Sequence, residues 1–382
     1  MAITTDVLIL GGGLTGSTAA HALANKGVRV ALVDVHDQIP NVFKAEKAGP
    51  HSLPQLRRLG IGDSVEAVGR KLFESIDAAD GRILRRMRLG ERGYYYHDFV
   101  NHIRKQLPPE VQFIRGTARR IETSDNLQTV QLASGETIES RLVIVSCGGA
   151  SQLFDQLSIT RTLVIEDPAI GFAMLIEPAA GGKFWFDGSG VTYYPNSAAP
   201  RISYCSMFSV PGAMRINMFG FHDVKSTWVH ELVDNPQAKL VRTFPKLTKL
   251  IGDFRVATKV EVMPVRPSVA NGFRRPGFVL AGDAFSTVPP STGKGVYKLM
   301  HDVEVLAELV PEWIKTPGMG TQKTSTYYDH PQKREADDHV RMKTLYQHWA
   351  ATSTTVRAQV HRMRFFADAY IKDLIGYTAD LG

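Results

Sequence analysis

Three glycines near the N-terminus have the spacing of a phosphate-binding turn. Gly11, Gly13 and Gly16 follow the apolar run at residues 7–10 and precede a stretch of helical character at residues 17–26. In a strand–turn–helix unit the first glycine permits the tight turn, the second lets the backbone approach a pyrophosphate, and the third lets the helix pack closely on the strand. The N–H groups at the start of the helix can then bind the phosphates. The spacing therefore predicts a dinucleotide site.

An acidic residue follows where a ribose contact is expected. Asp34 ends the second predicted strand, residues 28–33, and lies 18 residues after Gly16. A carboxylate at this place accepts hydrogen bonds from ribose hydroxyls and disfavours a 2′-phosphate, and therefore NADP, at this site. Leu14 and Thr15, at the start of the predicted helix, complete the expected phosphate contacts. The motif by itself leaves NAD and FAD open as ligands.

A second motif, in residues 277–295, favours FAD. A predicted strand ends at a Gly-Asp pair, and a Pro-Pro and Gly-x-Gly loop then leads into a helix. The carboxylate can hold a ribityl hydroxyl, the prolines form a stiff wall, and the N–H groups at the helix start can bind an isoalloxazine carbonyl. The candidate cofactor contacts in this segment are Gly282, Asp283, Pro290, Gly293, Lys294 and Gly295.

Together the two motifs resemble those of the FAD-dependent single-component aromatic hydroxylases, which are flavoprotein monooxygenases of the p-hydroxybenzoate hydroxylase type. The likeness covers about residues 1–150 and 255–310. It implies non-covalent FAD, NADH or NADPH as electron donor, and a flavin C4a-hydroperoxide that oxygenates an aromatic or polycyclic small molecule. Hydroxylation is the expected outcome, while epoxidation and Baeyer–Villiger insertion use the same intermediate and stay open.

Two other functions stay open beside this one. The first is an FAD-dependent reductase or dehydrogenase of an isoprenoid-type substrate, similar to the geranylgeranyl reductases of the same superfamily. The basic, amphipathic residues 356–366 would then contact a membrane, although packing of a helix on the FAD domain or on a second copy explains them as well. The second is an NAD-binding regulatory protein that uses only the first motif.

The resemblance also implies roles for single residues. It places Lys44 against the FAD, and it puts His97 where the family usually has a cofactor-contacting arginine. Gly148 stands where the family commonly carries the aspartate of an Asp-Gly pair that is linked to binding both FAD and the nicotinamide. The missing carboxylate leaves NADH and NADPH undecided. The neighbouring Cys147 is expected to be a small buried core residue.

The middle third of the chain supplies the candidate substrate contacts. Its β-rich runs predict strands at residues 171–176, 183–186, 191–194, 201–206 and 215–221. Aromatic side chains on such a sheet can enclose a ring, and Arg215 can bind a carboxylate or a phenolate. The predicted substrate contacts are Tyr193, Tyr204, Arg215 and Phe219. The candidate catalytic residues are His97, Arg215 and His222, the histidines because imidazole titrates near neutrality.

These elements predict an α/β fold. We expect a Rossmann-like, doubly wound, three-layer FAD-binding domain with an inserted, mostly antiparallel β-sheet domain and a C-terminal helical segment. The FAD-binding domain is expected to comprise residues 1–155 and 256–325, and the C-terminal helices residues 326–382. The substrate domain is expected at residues 156–255, with a contribution from residues 65–100. Within the first domain, residues 137–138 and 141–145 are predicted to form separate strands.

Composition excludes several classes of protein. The 382 residues, 43% of them hydrophobic and 22% charged, suggest two globular domains and exclude wholesale disorder. No apolar run approaches the roughly 20 residues of a bilayer span. Two cysteines and the absence of signal-peptide character predict a cytoplasmic protein, either monomer or homodimer. A net charge of +7 without basic blocks argues against nucleic acid, and no zinc-ligand spacing is present. The expected partners are an aromatic substrate and O2.

Overall fold

The computed structural model describes residues 2–50, 52–149 and 152–374. Its strands, in chain order, are β1 (Ile3–Leu10), β2 (Val30–Asp34), β3 (Lys47–Ala48), β4 (Arg70–Leu72), β5 (Glu74–Ala79), β6 (Arg82–Met87), β7 (Glu91–Gly93), β8 (Gln112–Arg115), β9 (Ala118–Glu122), β10 (Gln128–Leu132), β11 (Thr137–Val145), β12 (Thr160–Leu163), β13 (Ala169–Pro178), β14 (Ser189–Tyr194), β15 (Ile202–Val210), β16 (Ala213–Gly220), β17 (Phe254–Val256), β18 (Glu261–Val265), β19 (Ser268–Asn271), β20 (Phe278–Leu280) and β21 (Ser286–Thr287).

The helices are α1 (Leu14–Ala24), α2 (Ser52–Arg58), α3 (Gly62–Val68), α4 (Tyr96–Lys105), α5 (Leu153–Gln156), α6 (Thr227–Asp234), α7 (Pro236–Thr243), α8 (Leu247–Ile251), α9 (Gly295–Lys315), α10 (Thr321–Asp329), α11 (Pro331–Thr352) and α12 (Val356–Leu374). Two 3₁₀ turns, Gly282–Ala284 and Pro290–Thr292, precede α9. Of the predicted C-terminal helical segment, residues 375–382 lie outside the described residues. None of the helices described here combines the length and the apolar character that crossing a bilayer requires.

The centre of the first sheet is built from apolar strands that are buried on both faces, and its edge strands β8 and β9 are more exposed. Its order is β8-β2-β1-β11-β10-β9, with β20 beside β11. Strands β8, β2, β1, β11 and β20 run parallel, and β10 and β9 continue antiparallel as a meander. Consecutive residues of β1 are inaccessible to solvent, as is typical of a parallel sheet covered on two sides. The prediction of two strands at 137–138 and 141–145 is wrong, because β11 runs unbroken through both, and Glu139 and Ser140 between them are paired with β1 and β10.

The second sheet is mostly antiparallel, as predicted for the middle of the chain. Its order is β17-β13-β16-β15-β14-β5-β6, with β18 also paired to β13. The exception is β14, which pairs in parallel with β5, so residues 74–87 complete a sheet whose other strands come from residues 169–265. This agrees with the expected contribution of residues 65–100. The domain boundaries themselves stay a prediction.

One predicted strand of this region is a turn. Residues 183–186 alternate between exposed and buried side chains, but two glycines before them, Gly181 and Gly182, have φ of +78° and +77°. The Asp187 N–H then donates to the Phe184 carbonyl and closes a turn. The rings of Phe184 and Phe186 stack 5.2 Å apart and enter the core beneath the sheet. Alternation here therefore reflects two buried rings in a turn.

The two faces of the second sheet have different roles. On β15, Cys205 and Met207 point into a core shared with α6, α7 and α8. The intervening residues point to the opposite face, which looks towards the first sheet. Helix α12 packs against β6, and its Phe365 ring meets the Tyr194 ring edge-on at 5.1 Å. The predicted amphipathic helix at residues 356–366 thus contacts the second sheet.

Candidate functional site

A cavity of about 1350 Å³ lies between the carboxyl ends of β1, β2 and β11 and one face of the second sheet. Ordinary small-molecule sites measure roughly 300–1,000 Å³, so this cavity has room for a dinucleotide and a second molecule. The predicted cofactor residues that line it are Gly11, Gly13, Leu14, Thr15, Asp34, Lys44, Gly148, Asp283, Pro290, Gly293, Lys294 and Gly295. Both predicted motifs therefore contribute to one site.

The glycine turn forms a cradle that side chains would fill. Gly11 has φ of +97°, and a Cβ there would lie 2.7 Å from the Cα of Cys147. A Cβ on Gly16 would overlap the carbonyl oxygen of Gly11 and lie 2.7 Å from Ser146 Oγ. Gly16 is outside the cavity lining, and its role is to let α1 approach β1. The start of α1 is thereby held at the cavity wall.

The two motifs also meet directly. Gly282 has φ of +62°, and a Cβ there would overlap Thr15 Oγ1 at the start of α1. The Gly282 N–H donates to Asp302 Oδ2 at 2.8 Å. Gly282 therefore lies behind the cavity wall, and Asp283, the next residue, faces the cavity.

A buried charge network that sequence reasoning missed supports this turn. Asp302 Oδ2 accepts a hydrogen bond from Lys298 Nζ at 2.9 Å, and Asp302 Oδ1 accepts one from Lys333 Nζ at 2.6 Å. The three side chains are only 1–2% exposed. Burial opposes ionisation of Asp302, but the two lysines outweigh it and lower the pKa of Asp302 to about 2. The network ties α9 and α11 to the turn at Gly282.

At the end of β2, Asp34 is oriented by the backbone and by an arginine. Its carboxylate accepts hydrogen bonds from the N–H groups of Gly12 and His36, at 2.6 and 2.8 Å. Arg104 of α4 lies 3.3 Å from Asp34 and donates to the Gly12 carbonyl at 2.6 Å. His97 stands where the related family usually has a cofactor-contacting arginine, but it does not line the cavity. Arg104, two helical turns after His97 on α4, is outside the lining as well and reaches the site through Asp34 and Gly12.

The Asp283 side chain lines the cavity and is exposed there in the ligand-free protein. No side-chain hydrogen bond to it is found within the described ranges. Burial raises the pKa of Asp283 above its ordinary value, while Lys44, Lys298 and Arg161 oppose the rise. An acidic side chain in this state gains from a ligand hydroxyl group that donates to it.

Backbone groups form the rest of this wall. Gly148 has φ of +87°, lines the cavity, and would meet nothing within 4 Å if it carried a Cβ. Gly293 has φ of +61° and leads into α9, which begins at Gly295. The expectation that Cys147 is buried is wrong: β11 ends at Val145, so Cys147 lies in the loop beyond it and is exposed at the cavity. The other cysteine, Cys205, is buried, and burial raises its pKa to about 12.

Aromatic side chains of the second sheet form the opposite wall. Tyr194, Tyr204 and Phe219 line the cavity. The Tyr204 ring lies 5.3 Å from that of Phe219 and 6.2 Å from that of Tyr194. The assignment of Tyr193 to the substrate is wrong, because its side chain points to the other face of β14. There its hydroxyl accepts a hydrogen bond from Gly81 N–H at 2.8 Å, and its ring meets Phe244.

Two other predicted residues do not reach the cavity. Arg215 is 3% exposed, and its guanidinium donates to Glu46 through Nε and Nη2 and to Glu261 through Nη1, at 2.7–2.9 Å. It is therefore engaged by protein carboxylates. His222 stacks on Trp228 at 4.3 Å and its Nε2 is 2.7 Å from the Pro200 carbonyl. Burial lowers the pKa of His222.

The cavity contains unpaired polar atoms that the sequence did not indicate. Ser206 Oγ and Asn217 Oδ1 on the sheet face, and Ser291 Oγ beside Pro290, are buried without a hydrogen-bond partner among the described residues. Buried polar atoms in proteins are almost always paired. Ser291 belongs to the loop predicted to hold the isoalloxazine. The glycine cradle, the two acidic residues and this unpaired hydroxyl fit an FAD molecule bound along the first sheet.

Comparison with known proteins agrees with this reading. Residues 4–341 match the family model described as FAD binding domain. Squalene epoxidase 3 of Arabidopsis thaliana is 24% identical over 339 residues, which cover 80% of this chain and 60% of the relative. The 3-demethoxyubiquinol 3-hydroxylase of Escherichia coli K12 is 22% identical over 330 residues, covering 80% and 79%. The chain spans less than two thirds of the length of the plant squalene epoxidase.

A solved structure supports the fold. The crystal structure of p-nitrophenol 4-monooxygenase from Pseudomonas putida DLL-E4 superimposes with a TM-score of 0.75 at 17% sequence identity, covering 98% of this chain and 95% of the other. At that sequence identity the match supports the fold and nothing about the function. The predicted α/β architecture is thereby confirmed.

Proposed function

The chain belongs to the FAD binding domain family, and from this premise we propose that it is an FAD-dependent monooxygenase acting on an aromatic or polycyclic small molecule. The overall reaction is substrate–H + NAD(P)H + H⁺ + O2 → substrate–OH + NAD(P)⁺ + H2O. One observation carries the proposal: the cofactor cradle and an aromatic sheet face enclose the same cavity. A protein that only bound NAD through the first motif would not need the second wall.

The cofactor wall would hold FAD through named groups. The start of α1 and the glycine turn face its pyrophosphate, Asp34 its adenosine ribose, and Asp283 its ribityl chain, while Arg104 keeps Asp34 in place. The loop at residues 290–295 would cover the isoalloxazine. When bound, FAD supplies the chemistry of accepting electrons from NAD(P)H and activating O2.

The sheet wall would orient the substrate and exclude water. Tyr194, Tyr204 and Phe219 offer flat apolar surfaces for an aromatic ring. Tyr204 Oη would lie 4.0 Å from a Cβ on Gly293, so this hydroxyl stands where the sheet meets the cofactor loop. Burial raises the pKa of Tyr204. The hydroxyl therefore stays protonated at neutral pH and can donate a hydrogen bond to the reacting group.

Oxygen labelling tests this proposal. We expect the purified protein loaded with FAD to oxidise NADH or NADPH faster in the presence of an accepted phenol or polycyclic aromatic, and the product formed under ¹⁸O2 to contain one labelled oxygen. Hydroxylation, epoxidation and Baeyer–Villiger insertion give different products, which mass spectrometry and NMR distinguish. Oxidation or reduction of the flavin by substrate in the absence of O2, with no label incorporated, would instead support the isoprenoid reductase.

Replacement of Asp283 by asparagine is expected to weaken FAD binding while slightly stabilising the ligand-free protein. We expect the FAD dissociation constant of Asp283→Asn to rise about tenfold, because a hydrogen bond to a charged acceptor is lost. The raised pKa of Asp283 means that its ionisation opposes folding of the ligand-free protein. This unfavourable contribution is absent below the unfolded-state value of 3.8, grows as pH rises from 3.8 towards the folded-state pKa, and is complete above it.

The ligand-free variant should therefore unfold at slightly higher urea concentration than the wild type at pH 7, and the difference should disappear towards pH 4. Fluorescence titration with FAD and urea unfolding measure the two effects. Asp338→Asn, at an exposed position of α11, is the control. Unchanged FAD affinity in Asp283→Asn would remove Asp283 from the proposed cofactor contacts.

The cellular setting is a separate proposal. A cytoplasmic location and a monomeric or homodimeric state rest on the composition alone. NADH and NADPH both stay open as donors, since Gly148 provides only backbone groups. Kinetics with each nucleotide decide between them.

A further inference from the structure

The sheet face of the cavity carries a polar pair at its centre. Ser206 of β15 and Asn217 of β16 are direct partners in the antiparallel register, so their side chains lie next to each other on the same face. Both line the cavity, and each is 4% exposed. Ser206 Oγ and Asn217 Oδ1 have no hydrogen-bond partner in the part of the chain that the structure describes. A polar ligand group would complete this pair.

The orientation of the Asn217 amide defines what that group must be. Asn217 Nδ2 donates to Glu46 Oε2 at 3.1 Å, so the unpaired atom is the amide oxygen, which only accepts. The Ser206 hydroxyl can accept as well. A ligand hydroxyl can therefore donate to Asn217 Oδ1 and accept from the Ser206 hydroxyl, whereas a ligand group that has acceptors only can bind Ser206 but leaves Asn217 Oδ1 unpaired.

The charges around the pair disfavour an anion. Arg215, on the same strand as Asn217, has its guanidinium engaged by Glu46 and Glu261, which leaves no positive charge over for a ligand carboxylate. Lys47, which also lines the cavity, is paired with Glu91 at 3.1 Å. The other lining cations are Lys44 and Lys294, on the proposed cofactor wall, and Arg161, Arg266 and Lys343. Among the described residues, none of these five forms a hydrogen bond or an ion pair with Ser206, Asn217 or Glu46.

Building on the proposed function, we propose that Ser206 and Asn217 determine substrate specificity by binding an uncharged hydrogen-bond donor on the substrate ring, and that this end of the cavity discriminates against carboxylates. Arg215 is then a positioning residue: it holds Glu46, Glu46 holds the Asn217 amide, and the amide presents its oxygen to the substrate.

Three matched probes test the proposal by equilibrium binding. The FAD-loaded protein is titrated at pH 7 with 2-naphthol, 2-methoxynaphthalene and 2-naphthoate, and binding is measured by calorimetry and by the change in the flavin spectrum. The ring is the same in all three, so only the substituent changes. We expect 2-naphthol to bind about fivefold or more tightly than the ether, the usual effect of one hydrogen bond, and more tightly than the carboxylate.

Two serine variants locate the effect. Ser206→Ala should weaken 2-naphthol about fivefold and the ether by a similar factor, because the substituent oxygen of both probes can accept from this hydroxyl, while the preference for 2-naphthol, which Asn217 provides, should remain. Because the Ser206 hydroxyl has no protein partner, the variant should fold normally. Ser203→Ala is the matched control, since Ser203 carries another unpaired buried hydroxyl on β15 but lies outside the cavity lining. It should leave the affinity for all three probes unchanged.

The possible results separate this proposal from the proposed function. If 2-naphthol and the ether bind equally, or if the carboxylate binds as tightly as 2-naphthol, the specificity proposal is wrong while the aromatic site stands. If Ser206→Ala and Ser203→Ala behave alike, the polar pair is not the determinant. If none of the probes binds the FAD-loaded protein, the proposed aromatic site fails as well.

Discussion

Replacing Asp302 by alanine is expected to lower the free energy of unfolding by about 3–5 kcal/mol, the usual effect of removing one partner from a buried ion pair. The reason is that Lys298 and Lys333 would keep their charges in a site where both side chains are only 1–2% exposed. Asp337, at 3.1 Å from Lys333 and 3.7 Å from Lys298, cannot replace the two short hydrogen bonds. Urea unfolding of the purified variant at pH 7 measures the loss.

The difference in unfolding free energy between wild type and Asp302→Ala should depend on pH. The pKa of Asp302 is lowered from 3.8 to about 2, so the stability that its charge provides is present above 3.8 and is lost as pH falls towards 2. The difference between wild type and Asp302→Ala should therefore begin to shrink below about pH 4. Asp338→Ala, an exposed change on α11, is the control. A loss smaller than about 1 kcal/mol at pH 7 would mean that water or Asp337 compensates the lysines.

Replacing Gly16 by alanine is expected to weaken FAD binding about a hundredfold, which corresponds to the roughly 1–3 kcal/mol of an overpacked site. The added Cβ would overlap the carbonyl oxygen of Gly11, a backbone atom that cannot turn aside as the end of a flexible side chain could. Helix α1 would have to shift away from β1, taking its N–H groups away from the pyrophosphate site. Quenching of FAD fluorescence on binding gives the dissociation constant.

A second glycine of the same region controls for a general loss of stability. Gly27, just beyond the end of α1, has φ of +76°, and a Cβ there meets nothing within 4 Å. Gly27→Ala should therefore strain the backbone and lower stability while leaving FAD affinity unchanged. Equal affinities for Gly16→Ala and wild type would show that the turn is not where the phosphates bind.

The cofactor wall could be predicted because its parts are local. The glycine turn lies between a buried strand and a helix, Asp34 is the last residue of β2, and Asp283 lies three residues beyond the end of β20. Parallel strands bring their carboxyl ends to one edge, so residues 11–16 and 283 meet even though they are far apart in the chain. The fold class followed from the same pattern.

The substrate wall could not be predicted in the same way. Whether Tyr193 or Tyr194 faces the cavity depends on the register of β14 with β15 and β5, and a shift by one residue exchanges the faces. Arg215 looked available because its partner Glu46 lies 169 residues earlier in the chain. Nothing near Arg215 in the sequence indicates that pairing. The Asp302 network was missed for the same reason, since Lys333 is contributed by a different helix.

The parallel pairing of β14 with β5 has a consequence for the way this chain can be divided. A fragment cut at the apparent borders of the inserted segment, residues 156–255, would lose β5 and β6 and leave β14 as an open edge strand with unpaired N–H and carbonyl groups. Such an edge invites self-association. The second sheet therefore cannot be cut out or transferred as the segment 156–255 alone. An expression fragment would have to retain residues 74–87 as well.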